Sequence, residues 1–371
     1  MTGFSLKDQL FNEDTVRTLA VPFGEAGFFD AERFVARVVA AMSPLELKER
    51  INLIADELID VLPKSFPDKV TAIRASLPPP LDPTKTDDDF GSFIYAPLGV
   101  VVEKQGIENH RDLSFDLLED LTQRFSMEYS IRAFLNRWPD KTVQRMNAWA
   151  HHENYHVRRL ASEGLRPKLP WGKGIPQTTS DRLPVLDALH ADSTRFVTRS
   201  VANHLNDIAK TEPEIVLNLL DAWVLKGQQD RKELDWMRRH ALRSLIKEGH
   251  SGAMAHLGYD AEIVIDEAEV RITPDALAIG EKAEITAKFT APKGGPIIAD
   301  YVIDFVKSNG SSAPKVFKMK VLQAKPDVEF VLKKEHLFKK GATIFTHYPG
   351  DHRISLQING RIVASSQFVL S

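Results

Sequence analysis

Up to about Gly258, apolar residues recur at every third or fourth position, the spacing that lines one face of a helix. From about Asp260 the rhythm changes to short alternating runs rich in Val, Ile, Phe and Thr, among them Glu269–Thr273, Ala283–Ala287, Tyr301–Phe305 and Arg353–Gln357. Alternation of this kind predicts strands with one buried face. Turn signals at Gly294-Gly295, Ser308-Asn309-Gly310, Gly350-Asp351 and Asn359-Gly360 separate about seven such runs, which fits an immunoglobulin-like sandwich better than a meander. The pattern therefore predicts a multidomain chain, all-α over residues 1–258 and an all-β sandwich over 259–371. Within the helical part, Ser43-Pro44-Leu45-Glu46 marks a helix start as a capping box with proline at the first helical position. The stretch Leu77-Pro78-Pro79-Pro80-Leu81-Asp82-Pro83 ends one helical subdomain and opens a long loop, and at this level it is only punctuation.

A repeat organises the second half of the helical part. Val157-Arg158-Arg159, Val197-Thr198-Arg199 and Met237-Arg238-Arg239 recur at an interval of 40, followed by Ala161, Val201 and Ala241 and then by Leu165, Leu205 and Leu245. Preceding partner helices align in the first two copies through Val143/Leu183, Met146/Leu186 and Trp149/Leu189. The interval matches HEAT-type helix pairs, which stack into an all-α solenoid with a long concave binding surface.

If Val157, Ala161 and Leu165 face the core, Arg159, Glu163 and Arg166 lie on the opposite side of their helix. The next helix presents Arg199, Asn203, Asn206 and Asp207, and the third adds Arg239 and Arg243. Regularly spaced guanidiniums suit phosphate oxygens along a strand; a solvated charged face gives the same periodicity. Glu163 and Asp207 oppose phosphate binding, so they call for a second purpose. One is stabilisation of a positively charged sugar as a glycosidic bond breaks; the other is ion pairing with Arg159, Arg166 or Arg199.

Composition narrows the choices. The 371 residues carry 48 Lys and Arg against 51 Asp and Glu, a net charge of −3, so any nucleic-acid face depends on where charge sits. Acids are in surplus over residues 1–100, including Asp87-Asp88-Asp89, whereas the arginines concentrate in the middle. No cysteine is present, which excludes disulfides and thiolate chemistry. The start, Met1-Thr2-Gly3-Phe4, lacks a basic segment followed by an apolar run, and no stretch approaches the roughly 20 apolar residues of a membrane span. A cytoplasmic protein is expected, and a monomer, since no coiled-coil seam appears.

His152-Glu153-Asn154-Tyr155-His156 fits the zinc-protease pattern H-E-x-x-H. The 40-residue register places it across a turn between helices, where the two histidines do not share one helical face, and no convincing third ligand follows in the remaining helices; no metal site is expected. A helical scaffold for protein partners would show apolar anchors on the charged stripe, and a purely structural DNA binder has little use for the acids.

Three segments on these helices resemble the bacterial DNA alkylation repair glycosylases of the AlkC type, a HEAT-like-repeat family related to AlkD. They are Arg124–Leu135 (RFSMEYSIRAFL), His156–Gly172 (HVRRLASEGLRPKLPWG) and Ser200–Lys210 (SVANHLNDIAK). The resemblance covers the helical part, and only some members carry an appended β-sandwich. It implies hydrolysis of the N-glycosidic bond of 3-methyladenine and 3-methylcytosine in double-stranded DNA, without metal or cofactor and with the lesion still stacked. It also implies that Glu128, Glu163 and Asp207 are the catalytic acids and that Trp171 contacts the deoxyribose or lesion. Arg158, Arg159, Arg166, Arg199, Asn203, Arg239 and Arg243 are the DNA-binding candidates. Plainer roles compete: Trp171 as a loop plug, Glu128 as an acid at a helix N-terminus, and the lysines of the β part, Lys307 to Lys340, as edge protection rather than a minor-groove contact near Lys307–Lys315. A non-catalytic DNA-binding or scaffold protein is the alternative.

Overall fold

The structure is a computed structural model, described for residues 5–87, 89–341 and 346–371. The opening Met1–Phe4 and Asp88, on which parts of the sequence reading fall, lie outside the described residues. The helical part comprises α1 (Leu6–Leu10), α2 (Glu13–Glu25), α3 (Ala31–Met42), α4 (Leu47–Val61), α5 (Phe66–Ser76), α6 (Ala96–Gly106), α7 (Arg111–Thr122) and α8 (Ile131–Arg137). It continues through α9 (Pro139–Trp149), α10 (Tyr155–Gly164), α11 (Thr179–Leu189), α12 (Arg195–Ala209), α13 (Pro213–Lys226), α14 (Arg231–Ala241), α15 (Arg243–Glu248) and α16 (Ser251–His256). None of these helices is long and apolar enough to cross a membrane.

The repeat is real at the level of packing. Helices α9 and α11 begin at residues 139 and 179 and end at 149 and 189, while α10 and α12 begin at 155 and 195. Val157, Val197 and Met237 are fully buried, as are Ala161, Val201 and Ala241, so each copy puts the same face into the core. Full burial of one such Val or Met side chain contributes about 1.5–3 kcal/mol, which makes that face decisive for the orientation of every helix in the repeat.

Two local expectations shift. Ser43 closes α3 in helical geometry, so it is not free to cap the next helix; α4 starts after Glu46, whose backbone N–H donates to the Glu49 carboxylate at 2.8 Å. The proline stretch does end α5, but the loop it opens is more than punctuation. That loop runs along the end of α7, where Leu81 N donates to Gln123 O and Ser92 N to Arg124 O. Gly91 bridges Phe125 there with φ +71°, and a Cβ at Gly91 would lie 1.9 Å from Arg124 O, so only glycine brings the loop this close. Farther along, Phe196 N at the start of α12 donates to Thr86 O at 3.0 Å.

Two compact units divide the chain: residues 1–208 with 223–240, and residues 209–222 with 241–371. The second contains eight described strands, β1 (Asp266–Thr273), β2 (Ala276–Leu277), β3 (Lys282–Thr290), β4 (Gly295–Val306), β5 (Ser312–Ala324), β6 (Glu329–Leu337), β7 (Gly350–Ile358) and β8 (Arg361–Leu370). They form a three-stranded sheet in the order β1-β3-β6 and a five-stranded sheet in the order β2-β8-β7-β4-β5. Between them lies an apolar core that includes Ile285, Phe289, Ile303, Phe338, Leu356 and Phe368. Strand β3 alternates as expected, whereas β4 is buried without interruption from Ile297 to Ile303, because its outer face is covered too. The segment before the sheets, residues 247–263, is bonded to β7, β8 and the turn between them in the same sheet. Gln357 donates to Lys247 O, Asn359 to Asp260 O and Arg361 to Ile263 O. The short helices α15 and α16, before the boundary expected at Gly258, thus belong to the same compact unit as the strands. Gly350-Asp351 opens β7 instead of turning the chain, while Asn359-Gly360, with φ 45° and 84°, is a two-residue hairpin turn between β7 and β8.

Gly360 packs backbone against backbone, since a Cβ there would sit 2.4 Å from the Gly249 Cα. Replacing Gly360 with Ala is expected to cost about 3 kcal/mol, combining a left-handed non-glycine residue with a backbone collision. Gly280→Ala, at a positive φ of 111° with nothing within 4 Å, has only the backbone cost. Equilibrium denaturation of the two variants side by side measures the difference.

Candidate active site

The site begins with two buried arginines that fix the end of α10. Arg132, from α8 and 1% exposed, donates to Gly164 O at 3.0 Å, to Arg166 O at 2.9 Å and to Lys173 O at 2.5 Å. Arg182, from α11, donates to Leu165 O at 2.9 Å. Two guanidiniums on the carbonyls that a helix C-terminus leaves unpaired complement its dipole and hold the backbone from Glu163 to Lys173 in one place. Burial pulls Arg132 down to about 10, which still leaves it charged at neutral pH.

On this backbone stands a ladder of alternating charge. Arg159 on α10 donates to Glu128 Oε2 at 2.9 Å and to Ser126 Oγ at 3.1 Å, and Ser126 Oγ in turn donates to Glu128 Oε2 at 2.7 Å. Both Nη1 contacts run to the turn that precedes α8. Arg159 Nη2 lies 3.7 Å from Glu163 Oε2, one helical turn on. Arg166 donates to Glu163 Oε1 at 2.6 Å and through Nε to Asp207 Oδ2 on α12 at 2.9 Å, with its Nη2 2.8 Å from the same oxygen. The order across three elements is Glu128, Arg159, Glu163, Arg166, Asp207. Ser200 Oγ on α12 donates to Glu163 Oε2 at 2.6 Å and has Ser162 Oγ 3.0 Å away.

The ladder is buried, which the helical wheel does not foresee: the Glu163 and Asp207 side chains are 5% and 6% exposed and those of Arg159 and Arg166 12%. The residues opposite the apolar stripe of α10 meet α12 and the turn before α8, so the second face of the helix is also an interface. Burial pushes the Glu163 carboxyl up, but Arg159, Arg166 and the Ser200 hydroxyl outweigh it and hold the group below its ordinary value. Burial, with Glu128 and Glu163 adding to it, lifts the Tyr129 phenol to about 12. Glu128 sits in the turn ahead of α8, bonded to Arg159 and Ser126 rather than to helix N–H groups. Its Oε1 has no hydrogen bond among the described residues.

Trp171 is 60% exposed, so it plugs no core. Its backbone is left-handed (φ 62°), an uncommon conformation for a bulky residue, and its carbonyl accepts from Lys48 Nζ at 2.7 Å. It rims a cleft of about 460 Å³ lined also by Phe93, Phe125, Met127 and Tyr129. Ser126 and Tyr129 border both the cleft and the ladder.

The remaining DNA-binding candidates scatter. Arg158 donates to Asp192 and to the carbonyls of His152 and Glu153, fixing the turn between α9 and α10. Arg199 pairs with Asp87 of the long loop at 2.5 Å, with its guanidinium 5.8 Å from the rings of both Phe90 and Phe196. Asn203 Oδ1 is 2.8 Å from His240 Nε2, Arg239 is exposed, and Arg243 belongs to the second compact unit. The H-E-x-x-H residues run across the turn into the start of α10, as expected: Asn154 caps α10, and burial lowers His156, packed on Tyr155 and Phe196, to about 4.

Sequence reasoning missed Ser126, Ser200, Tyr129 and the loop residues Thr86, Asp87 and Phe90. Ser200 was within reach, since Ser200, Asn203 and Asp207 share one helical face. The loop carries no such signal, because its position depends on contacts far away in sequence.

Comparison with known proteins defines first the class of protein. Residues 111–245 match the family described as "DNA alkylation repair enzyme", and residues 266–371 match "Uncharacterised protein YhaZ, C-terminal Ig-like domain". A protein of Bacillus subtilis (strain 168), YhaZ, is 34% identical over 327 residues, covering 87% of each chain. A solved structure, the Pseudomonas fluorescens alkylpurine DNA glycosylase AlkC bound to DNA containing an abasic site analog, is 33% identical, covers 99% of this chain and all of its own, and superposes with a TM-score of 0.86. The chain belongs to the AlkC-type DNA alkylation repair family, with a helical region followed by an Ig-like domain.

Glu163 gives a pH-dependent stability that calorimetry or denaturant titration reads directly. Because its folded-state value is depressed, its contribution is present above the unfolded value of 4.5 and is lost as pH falls through the folded one. Glu163→Gln is expected to cost about 2–3 kcal/mol at pH 7, with the penalty shrinking as pH falls below the unfolded value of 4.5. A penalty independent of pH would contradict the ionised assignment.

Proposed function

We propose that this chain is a DNA glycosylase of base excision repair that hydrolyses the N-glycosidic bond of cationic alkylated bases, 3-methyladenine and 3-methylcytosine, in double-stranded DNA. Family membership supports the reading, and the observation that carries it is the ladder that holds Glu128, Glu163 and Asp207 together beside the cleft rimmed by Trp171. A base alkylated on a ring nitrogen is already a cationic leaving group and needs no acid to assist it. As the C1′–N bond breaks, its electron pair neutralises the base and positive charge develops on the deoxyribose. Glu163 and Asp207, held in place by Arg166, stabilise that charge; Glu128, with Oε1 open, holds the water and takes its proton as the oxygen bonds to C1′. Trp171 packs on the sugar or lesion face. All the work lies on the sugar side, so the base reacts while stacked in the duplex, and neither metal nor cofactor enters a step.

Arg239 reaches phosphate directly, and Arg199 does so by exchanging Asp87 for a phosphate oxygen, with Asn203 and Arg243 as further candidates on the helical part up to Gly258, whereas Arg158, Arg159 and Arg166 are taken up by ion pairs with Asp192, Glu128, Glu163 and Asp207. The exposed Lys307 beside the β4–β5 turn supplies a minor-groove contact from the Ig-like domain. The protein acts as a monomer at the bacterial nucleoid.

Timed release of methylated bases from alkylated duplex DNA, in EDTA, tests this. The wild type is expected to release 3-methyladenine, with Glu128→Gln, Glu163→Gln and Asp207→Asn slowing release by about 10²-fold or more while DNA still binds. A wild type that binds alkylated duplex yet releases no base would make it a non-catalytic DNA-binding relative.

A further inference from the structure

We infer that Arg166 and Ser200 are positioning residues, which clamp Glu163 and Asp207 into one rigid anionic pair, and that Arg166 is thereby withdrawn from phosphate binding. The inference rests on the glycosylase reading above and assigns to Arg166 a role different from the one its place among the arginines suggests. Three of its nitrogens are committed inward: Nη1 to Glu163 Oε1, Nε and Nη2 to Asp207 Oδ2, at 2.6 to 2.9 Å. The two carboxylates come from different helices, so the planar fork of one guanidinium sets their separation. A lysine, with a single charged nitrogen, does not reproduce that geometry.

Ser200 completes the clamp from the other side. Its hydroxyl, 2% exposed, donates to Glu163 Oε2 at 2.6 Å, so that each oxygen of Glu163 has its own donor, Arg166 on Oε1 and Ser200 on Oε2. A carboxylate held at both oxygens neither rotates nor readily takes a proton. Such a group is a poor base and a good fixed anion, the property needed where positive charge develops in a transition state. Glu128 differs, with both its donors on one oxygen.

The groups facing Glu163 set the sign of the pH effect. They are Arg159 on its own helix, Arg166 just beyond it, Tyr129 and Arg132 around the start of α8, and Ser200 and Asp207 on α12. Tyr129 stays protonated and Arg132 charged across neutral pH. Removing the Ser200 hydroxyl therefore raises the Glu163 carboxyl, and activity that needs it ionised is lost at a higher pH on the acid side.

The experiment uses the full chain and measures single-turnover base release against pH together with duplex-DNA affinity against salt concentration. Ser200→Ala is expected to slow release about tenfold at pH 7, to move the acid limb of the profile to higher pH and to leave DNA affinity unchanged. Ser200→Thr, which restores a hydroxyl, is expected to recover most of the rate. Arg166→Lys is expected to lower the rate about tenfold or more with the same slope of log affinity against log salt as the wild type. Arg166→Gln is expected to keep that slope as well, whereas loss of a phosphate contact would reduce it by about 0.9. A reduced slope, or an acid limb unmoved in Ser200→Ala, overturns the inference while wild-type release leaves the glycosylase reading standing. A wild type that releases no base overturns both. Ser200→Ala removes one hydroxyl, and a thermal melt like that of the wild type shows that its rate effect is not misfolding.

Discussion

Three carboxylates gathered in one buried place repel one another, and each would shed its charge by taking up a proton. Here the gathering is stable because Arg159 and Arg166 stand between them, so every anion has a cation on the side facing the next anion. Much else in the helical part serves this arrangement. The register of α10 against α12 brings Ser200 and Asp207 to Glu163 and Arg166, and Arg132 and Arg182 pin the carbonyls at the end of α10. The cost of desolvating five charged groups is met by their mutual attraction only while the geometry holds. The backbone beneath them is accordingly tied down more heavily than a surface loop would be.

That constraint links structure to chemistry. An enzyme that waits for positive charge to appear on a sugar needs negative charge already in place, oriented and not dispersed by water. Guanidiniums among the acids hold them in place, and Arg159 and Arg166 keep Glu163 ionised, without screening the group as bulk solvent would. The same buried cations lower the general basicity of Glu163, and this separates the fixed anion from Glu128, which retains an open oxygen. In the second compact unit the logic is different: cross-strand burial and a tight hairpin turn, with Asn359 bonded to Asp260 and to the start of β4 and Gly360 packed on Gly249, hold the preceding segment to the Ig-like domain.

The alternation of apolar positions was enough to place helices before Gly258 and strands after Asp260, because core-facing periodicity is a local property of the chain. The 40-residue repeat fixed which residues of α10, α12 and α14 face inward, and Val157, Val197 and Met237 are all buried. Glu128, Glu163, Asp207 and Trp171 were singled out through segments that resemble a known family, and the structure brings the three acids into one ladder. What the sequence did not contain was the fate of the opposite helix face. A wheel separates apolar from polar positions, and it cannot tell water from a neighbouring helix. Only the packing of α10 against α12 and the turn before α8 turned an apparent row of phosphate-binding arginines into an internal ladder, brought Asp87 of a distant loop to Arg199, and supplied the Ser200 hydroxyl. Those contacts join residues some 30 to 110 positions apart, and no local spacing rule encodes a partner at that range.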